Sequence, residues 1–133
     1  MSIKAVIDTN VIVSAYWTKN PMSPTARIYR AILSGEITIL VNSDILCEYR
    51  EVLNRPRFGF NTDDIEASLA YFELFGENIE PVDCDEEFVD VDDKIFYCTA
   101  LSAGTQLVTG NTKHYPQNSI VVTPSEFCQQ LGL

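Results

Sequence analysis

The sequence has few positive charges and almost no histidine. Against 19 Asp and Glu residues there are 9 Lys and Arg residues, giving a formal net charge of -10, and His114 is the single histidine. Lys and Arg supply most of the affinity of a broad nucleic-acid-binding face by neutralising phosphates, so this composition argues against such a face. A nucleic-acid function would need another device. Carboxylates that bind cations are one, because the bound cation inverts the local field that a phosphate meets.

Cysteine is present but in no metal-binding pattern. The chain has no Cys-x-x-Cys pair, and one histidine is too few to complete a common zinc site. Cytosolic chains rarely keep disulfides, so we expect four free thiols. These are Cys47, Cys84, Cys98 and Cys128.

The sequence also lacks a long hydrophobic run. The apolar stretch that begins at Ile3 is interrupted by Asp8, far short of a signal-peptide core or a membrane span. We therefore expect a soluble, cytoplasmic protein. The chain has 133 residues, 46% of them hydrophobic, which is enough for one core, so residues 1–133 are predicted to form a single domain.

Short β-branched, apolar runs alternate with amphipathic stretches along the chain. The runs predict strands at residues 3–7, 37–41, 79–82, 106–109 and 119–122. The stretches predict helices at 11–17, 25–33, 45–53, 62–75, 94–102 and 124–131, with polar caps at 42–44 and 62–64. Strands that alternate with helices are typical of a parallel sheet covered on both faces. The sequence therefore predicts an α/β fold with three layers, α/β/α, around a central parallel sheet of about five strands.

Polar side chains follow several of the predicted strands. Asp8 follows the first strand and Asn111 follows the fourth. Asp92 and Asp93 open the helix before the fourth strand, and Glu48 lies one turn into the helix after the second. Ligands of open α/β sheets bind outside the carboxyl ends of the strands, where the strand order reverses. We therefore expect these side chains to converge on one edge of the sheet.

A carboxylate cluster at that edge favours a hard divalent cation. Mg²⁺ and Mn²⁺ prefer carboxylate and carbonyl oxygen and keep several waters, so the site needs few protein ligands. Clustered carboxylates without a cation repel one another, a situation that normally persists only at a functional site. With a cation, the pattern is that of metal-assisted phosphodiester hydrolysis.

Each of these residues also has a structural explanation. Asp8 could be a turn residue or a helix cap, and Asn111 could be an ordinary turn residue. Glu48 could pair with a nearby Arg on an exposed helix face. Either Asp92 or Asp93 could cap its helix and complement the helix dipole. No single position decides the function.

Four short segments, taken in order, resemble the PIN-domain family. Their sequences are VIDTNV at 6–11, LCEYREVL at 46–53, DDK followed by residues up to Ala100 at 92–100, and LVTGN at 107–111. Together they cover most of the chain. The chain also resembles bacterial PIN proteins that are assigned as toxins of toxin–antitoxin pairs, which often share a Leu-x-Glu-Tyr helix and an Asn-x-x-His-Tyr/Phe-Pro ending.

The resemblance implies roles for individual residues. It implies that Asp8, Glu48 and Asp93 are metal ligands or orient the metal, and Asp93 is preferred to Asp92 because of its spacing to Ala100 and Gly104. Supporting roles fall to neighbouring polar residues that hydrogen-bond the carboxylates or lie beside them. These are Thr9, Asn10, Asp92, Thr109 and Asn111.

The resemblance also implies an activity: cleavage of RNA that depends on Mg²⁺ or Mn²⁺. It further implies a homodimer and an antitoxin protein that covers the acidic groove. Family members often have a fourth acid where this chain has Asn111, which is a weaker ligand. The resemblance therefore does not decide between one metal site and two. Candidate phosphate contacts are Arg55, Arg57, Lys94 and Lys113, each of which is also an ordinary surface charge.

Two other classes of protein fit parts of the sequence. A PIN fold that has lost catalysis and serves as a binding module is favoured slightly by Asn111 and the net charge, whereas intact Asp8, Glu48 and Asp93 argue against it. A phosphoacceptor signalling domain needs an acidic pair directly after the first strand and a lysine after the last. Thr9 follows Asp8 here, and the last strand is followed by Thr123 and Pro124. A haloacid-type phosphatase needs an aspartate at the position of Asn10.

Overall fold

The computed structural model describes residues 3–88 and 90–133 as a five-stranded sheet packed against six α-helices. The strands are β1 (Ile3–Ile7), β2 (Ile37–Val41), β3 (Glu77–Asn78), β4 (Gln106–Val108) and β5 (Val121–Val122). The helices are α1 (Thr9–Trp17), α2 (Pro24–Ser34), α3 (Ser43–Leu53), α4 (Thr62–Phe75), α5 (Val91–Ala103) and α6 (Pro124–Leu131). Two 3₁₀ turns occupy Pro56–Phe58 and Thr112–His114.

Every strand pair is parallel, and the strand order is β3-β2-β1-β4-β5. The predicted α/β fold is therefore confirmed. From β1 the chain builds outward through β2 and β3, and later returns to the other side of β1 to add β4 and β5. The order thus reverses between β1 and β4, where Val6 pairs with Leu107 and Ile7 with Val108. This reversal places the ends of β1 and β4 side by side.

The core explains why the strands are nearly continuous apolar runs. Residues of the central strand β1, namely Ala5, Val6 and Ile7, are fully buried, because helices cover both faces of a parallel sheet. Against the sheet pack large side chains from the helices, including Tyr49, Phe72 and Phe96.

Helix positions agree with the sequence patterns, but α1, α2, α3 and α5 begin one to three residues earlier than predicted. The side chain of Asn42, at the head of the predicted cap, accepts the hydrogen bond that begins α3. Asn61, one residue before the predicted cap, does the same for α4. Helix α5 begins at Val91 rather than Lys94, because Asp90 accepts from the Asp92 amide.

The predicted third strand is wrong in position. Pairing occurs at Glu77–Asn78 and not at 79–82, because β2 ends at Val41 and its last carbonyl accepts from the Ile79 amide. Gly76 precedes this strand, and a Cβ there would lie 2.4 Å from the Phe72 carbonyl oxygen and 2.6 Å from that of Ile39. The close approach of α4 to β2 therefore requires glycine. Strands β4 and β5 are also shorter than predicted.

The expectation of four free thiols is wrong for one pair. Cys84 and Cys98 form a disulfide with a Cα–Cα distance of 5.6 Å, whereas Cys47 and Cys128 are free. The segment after β3 folds back against α5 and brings the two residues within the range that a disulfide requires. Sequence spacing alone carries no sign of this approach.

None of the helices formed by residues 3–88 and 90–133 combines the length and the apolar character that a membrane span needs.

Candidate active site

Asp8 lies at the carboxyl end of β1, where the strand order reverses. Its amide donates to the Val108 carbonyl of β4 over 2.9 Å, so the backbone of Asp8 is fixed by the sheet. Asp8 occupies the N-cap position of α1 but makes no side-chain cap bond. The side chain instead turns toward β4 and the segment beyond it. The explanation of Asp8 as a helix cap is therefore wrong.

Three side-chain donors converge on one oxygen of Asp8. Oδ2 accepts hydrogen bonds from Thr109 Oγ1 at 2.7 Å, from Tyr115 Oη at 3.0 Å and from Asn10 Nδ2 at 3.3 Å. Asp8 is 6% exposed, Thr109 is fully buried and Tyr115 is 5% exposed. A carboxylate this deep in the protein persists because its charge is hydrogen-bonded.

The supporting residues Asn10 and Thr109 also bind each other. Asn10 Nδ2 donates to Thr109 Oγ1 over 3.3 Å, and Asn10 Oδ1 accepts from the Gly110 amide over 3.0 Å. The Asn111 amide donates to Thr109 Oγ1 over 3.0 Å. Asn111 therefore lies at the predicted edge and takes part through its backbone. The network joins the start of α1 to the end of β4.

Burial dominates the electrostatics of Asp8. It raises the pKa of the carboxyl above its ordinary value, while the hydrogen bonds from Thr109 and Tyr115 and the Thr9 amide act in the opposite direction. The net shift is upward, so the charged form is held at a cost in the absence of a cation.

Asp93 is the second carboxylate of the site. It lies in the first turn of α5, and the Asp90 cap fixes where that turn begins. Its pKa is raised by burial first and then by the charges of Asp8 and Asp90, while His114 and a hydrogen bond with Tyr115 lower it. His114 Nδ1 lies 3.5 Å from Asp93 Oδ2. Asp8 and Asp93 are thus close enough to act on each other.

Tyr115 is the site residue that the sequence patterns missed. Its hydroxyl donates to Asp8 Oδ2 at 3.0 Å, and burial and the charges of Asp8 and Asp93 raise its pKa far above the ordinary value for tyrosine. The ring stacks on Tyr97 of α5 at 6.4 Å between centroids and meets Phe88 edge-on at 5.8 Å. One signal was available, because the His-Tyr-Pro ending follows a strand whose carboxyl end faces the site.

Glu48 approaches the cluster from α3. It is half-buried, and its pKa is raised to about 7 by burial first, then by the charges of Asp92 and Glu51, while Arg55 opposes the shift. The charge of Arg55, the nearby Arg that the sequence suggested as a partner, therefore lowers the pKa of Glu48 less than burial and the acidic neighbours raise it. Asp92 acts on Glu48, whereas Asp93 interacts with Asp8. The two neighbouring aspartates of α5 thus serve different carboxylates.

Two buried hydrogen bonds fix α3 relative to the rest of the site. Tyr49 Oη, next in the chain to Glu48, donates to the Ile7 carbonyl over 2.5 Å, immediately before Asp8. Asn42 Nδ2 donates to Thr99 Oγ1 of α5 over 3.0 Å. Both tyrosine and asparagine are at most 1% exposed. Helix α3 is therefore bound to the strand that carries Asp8 and to the helix that carries Asp93.

The donor set is small, with two carboxylates, and it fits a hard divalent cation. Among residues 3–88 and 90–133, no group of three His, Cys, Asp or Glu side chains is close enough to hold a metal ion. Asp8 and Asp93 supply two carboxylates. Thr9, next to Asp8, has a buried hydroxyl without a hydrogen-bond partner. Two carboxylates are enough for Mg²⁺ or Mn²⁺, which keep several waters as ligands, so Glu48 would act at a longer distance.

Most of the predicted phosphate contacts are engaged elsewhere. Lys94 pairs with Asp83 at 2.9 Å, Arg55 with Glu51 at 3.6 Å, and the Arg57 guanidinium lies 4.9 Å from the centroid of the Phe58 ring. Lys113 lines a surface cavity of about 560 Å³ that also borders Asp93, His114 and Tyr115. Lys113 is therefore the predicted cation that the fold places beside the carboxylates.

The geometry agrees with comparisons to known proteins. Residues 4–113 match the PIN domain family. The chain is 27% identical to Ribonuclease VapC1 of Aquifex aeolicus (strain VF5) over 138 aligned positions, which cover 97% of this chain and 96% of that protein.

Two solved structures share the fold. One is the structure of FitAB bound to an IR36 DNA fragment. It is 18% identical to this chain, has a TM-score of 0.61, and the match covers 90% of this chain and 94% of that one. The other is VapBC2 from Rickettsia felis bound to a DNA fragment from its promoter, with 19% identity, a TM-score of 0.59, and coverage of 91% and 98%. The sequence match extends over most of the chain, and the parallel α/β fold agrees with it. The chain belongs to the PIN-domain family.

Proposed function

We propose that this protein is a divalent-metal-dependent endoribonuclease. The observation that carries the proposal is the pair formed by Asp8 and Asp93 at the reversal point of the sheet, two carboxylates whose pKa values are both raised and whose charges act on each other. Similarity over nearly the whole chain to a protein named a ribonuclease supports the choice of RNA.

In this mechanism Asp8 and Asp93 would hold Mg²⁺ or Mn²⁺. When bound, the ion lowers the pKa of coordinated water and stabilises the charge that develops on the phosphoryl group. The protein's part is to keep both carboxylates charged and oriented. Thr109 and Asn10 do this for Asp8 through the bonds to Oδ2, and the Asp90 cap fixes the first turn of α5 for Asp93.

Glu48 orients the attacking water and accepts its proton. A pKa of about 7 leaves a sizeable fraction of the group as carboxylate near neutral pH, while keeping it basic enough to take a proton. The water oxygen forms a bond to phosphorus, the phosphorus bond to the leaving ribose oxygen breaks, and that oxygen takes up a proton. Lys113 and His114, which border the adjoining cavity, are placed to contact a phosphate of the RNA.

The biological setting follows from the relatives. We infer that the protein is the toxin of a toxin–antitoxin pair and that an antitoxin controls it. Support comes from the two similar structures, which are those of FitAB and VapBC2. A homodimer and a cytoplasmic location belong to the same proposal.

The test is cleavage of a mixed set of labelled RNAs with Mn²⁺, with Mg²⁺ and with chelator. Wild-type protein is compared with Asp8→Asn and Asp93→Asn, and Asp63→Asn serves as a matched control because Asp63 is exposed in the first turn of α4. Cleavage should need metal, disappear in both site variants and persist in the control. Metal-independent cleavage, or full activity of Asp8→Asn, would refute the proposal.

A second candidate is a PIN-fold binding module without catalysis. Asn111 in place of a fourth acid and the formal net charge of -10 favour it. It predicts that Mn²⁺ binds to the wild-type protein but that no RNA in the set is cleaved.

A further inference from the structure

The packing of the Tyr115 ring does not require its hydroxyl group. The ring is buried between Tyr97 and Phe88, and a phenylalanine ring would fill the same space. The hydroxyl nevertheless lies 3.0 Å from Asp8 Oδ2, and the charge of Asp93 also acts on it. A tyrosine hydroxyl carries a single proton, and here that proton is donated to Asp8. The hydroxyl therefore serves the carboxylates and not the packing.

The distribution of donors on Asp8 is one-sided. Oδ2 receives the hydrogen bonds of Thr109, Tyr115 and Asn10. Within residues 3–88 and 90–133 no side-chain donor is found on Oδ1. The two oxygens of a carboxylate offer about four lone-pair directions between them, so three donors already occupy Oδ2 fully. Oδ1 is the oxygen that remains available to an incoming cation.

We propose that Tyr115 is a positioning residue: with Thr109 and Asn10 it holds Oδ2 of Asp8, so that Asp8 binds the divalent cation through Oδ1 alone. The inference rests on the proposed metal site and deepens it. Tyr115 differs from the other two donors because it lies beyond the 3₁₀ turn Thr112–His114 and because the charge of Asp93 also acts on its hydroxyl. It is therefore the donor that lies between the two carboxylates of the site.

The test compares Tyr115→Phe with Tyr97→Phe. Tyr97 is the matched control because it belongs to the same aromatic stack and is 2% exposed, yet its hydroxyl accepts from Asn118 Nδ2 at 3.1 Å. Mn²⁺ affinity is measured by calorimetry without RNA. Tyr115→Phe should weaken Mn²⁺ binding about 10-fold or more, the usual effect of losing a hydrogen bond to a metal ligand, whereas Tyr97→Phe should bind as wild type does.

Two further readouts separate positioning from general structural damage. In cleavage assays, Tyr115→Phe should raise the Mn²⁺ concentration needed for half-maximal rate while leaving the KM for RNA unchanged. In metal-free protein, the NMR shift of the Asp8 carboxyl carbon should change in Tyr115→Phe and stay constant in Tyr97→Phe.

The outcomes that overturn the inference are distinct from those that overturn the function. Equal Mn²⁺ affinity in Tyr115→Phe and wild type refutes the positioning role, and so does an equal loss in both variants, which would assign the effect to ring packing. Wild-type protein that binds Mn²⁺ but cleaves no RNA refutes the ribonuclease alone. Absence of Mn²⁺ binding by wild-type protein refutes both.

Discussion

Thr109 Oγ1 donates a 2.7 Å hydrogen bond to Asp8 Oδ2 across 101 residues of sequence. The bond joins the ends of β1 and β4, and Thr109 is fully buried. Replacing Thr109 by Val removes the donor and keeps the shape, so a buried carboxylate loses its shortest side-chain hydrogen bond. We expect a loss of about 2 kcal/mol in the free energy of unfolding, the usual value for a hydrogen bond to a charged group, measured by urea denaturation.

Thr109→Ser is the matched control, since it retains the hydroxyl. It should keep the cleavage activity and most of the stability. Equal destabilisation of the Val and Ser variants would mean that the methyl group, and not the hydrogen bond, is what matters at this position.

Asp8 should destabilise the protein when no metal is present. The pKa of Asp8 is higher in the folded state than its ordinary value, so the folded state binds the proton more tightly than the unfolded chain does. The resulting penalty is fully present at pH values above the folded pKa, shrinks as the pH falls through it, and disappears below the unfolded pKa. Asp8→Asn should therefore be more stable than wild type in chelator at pH 7, by urea denaturation.

The difference between Asp8→Asn and wild type should shrink as the pH is lowered toward the ordinary range for aspartic acid, and it should also shrink when Mn²⁺ is added to wild type. An Asn variant that is less stable at pH 7 in chelator would show that the hydrogen bonds to Asp8 outweigh its burial.

Asp92 should raise the pKa of Glu48 through space. Burial comes first among the causes that raise the Glu48 pKa to about 7, and the charge of Asp92 comes second. Asp92→Asn should therefore lower the pKa of Glu48, measured by NMR titration of the Glu48 carboxyl carbon in chelator. Asp63→Asn, on α4, should leave the pKa unchanged. A Glu48 that titrates at the same pH in all three proteins would contradict the proximity of α3 and α5 at this point.

The Cys84–Cys98 disulfide should contribute substantially to stability. Its two ends are 14 residues apart, and closing a loop of this size restricts the unfolded chain by about 3 kcal/mol. Adding a reducing agent should lower the free energy of unfolding of wild type by roughly this amount.

Cys84→Ser should show the lower stability with or without reductant, while Cys47→Ser, at an exposed free cysteine, should respond to reductant as wild type does. Wild-type stability that does not depend on reductant would show that the two sulfurs are not bonded in solution.

Local patterns were sufficient to predict four of the five strands and the position of Asp8 at the end of β1. Asp8 follows a run of apolar, β-branched residues, and the topology of parallel sheets then brings it next to the residues after β4. Cap positions were predicted less well, because Asn61 and Thr62 are adjacent and equally capable of capping, so only the backbone angles decide between them.

Tyr115 and the disulfide depend on distant contacts that no local pattern encodes. The position of Tyr115 is set by the short turn Thr112–His114 and by the stack with Tyr97. The approach of Cys84 to Cys98 depends on where β3 ends, and that strand is only two residues long. In both cases the chain between the two partners had to be folded before the contact could be known.

The strand order has a consequence for folding during translation. Because β4 is inserted beside β1 late in the chain, a nascent polypeptide can complete β1, β2 and all of α5 while Asp8 still lacks both Thr109 and Tyr115. The cluster is therefore assembled only when nearly the whole polypeptide has emerged. Under the proposed function, an unfinished chain on the ribosome would lack the assembled carboxylate site while RNA surrounds it during translation.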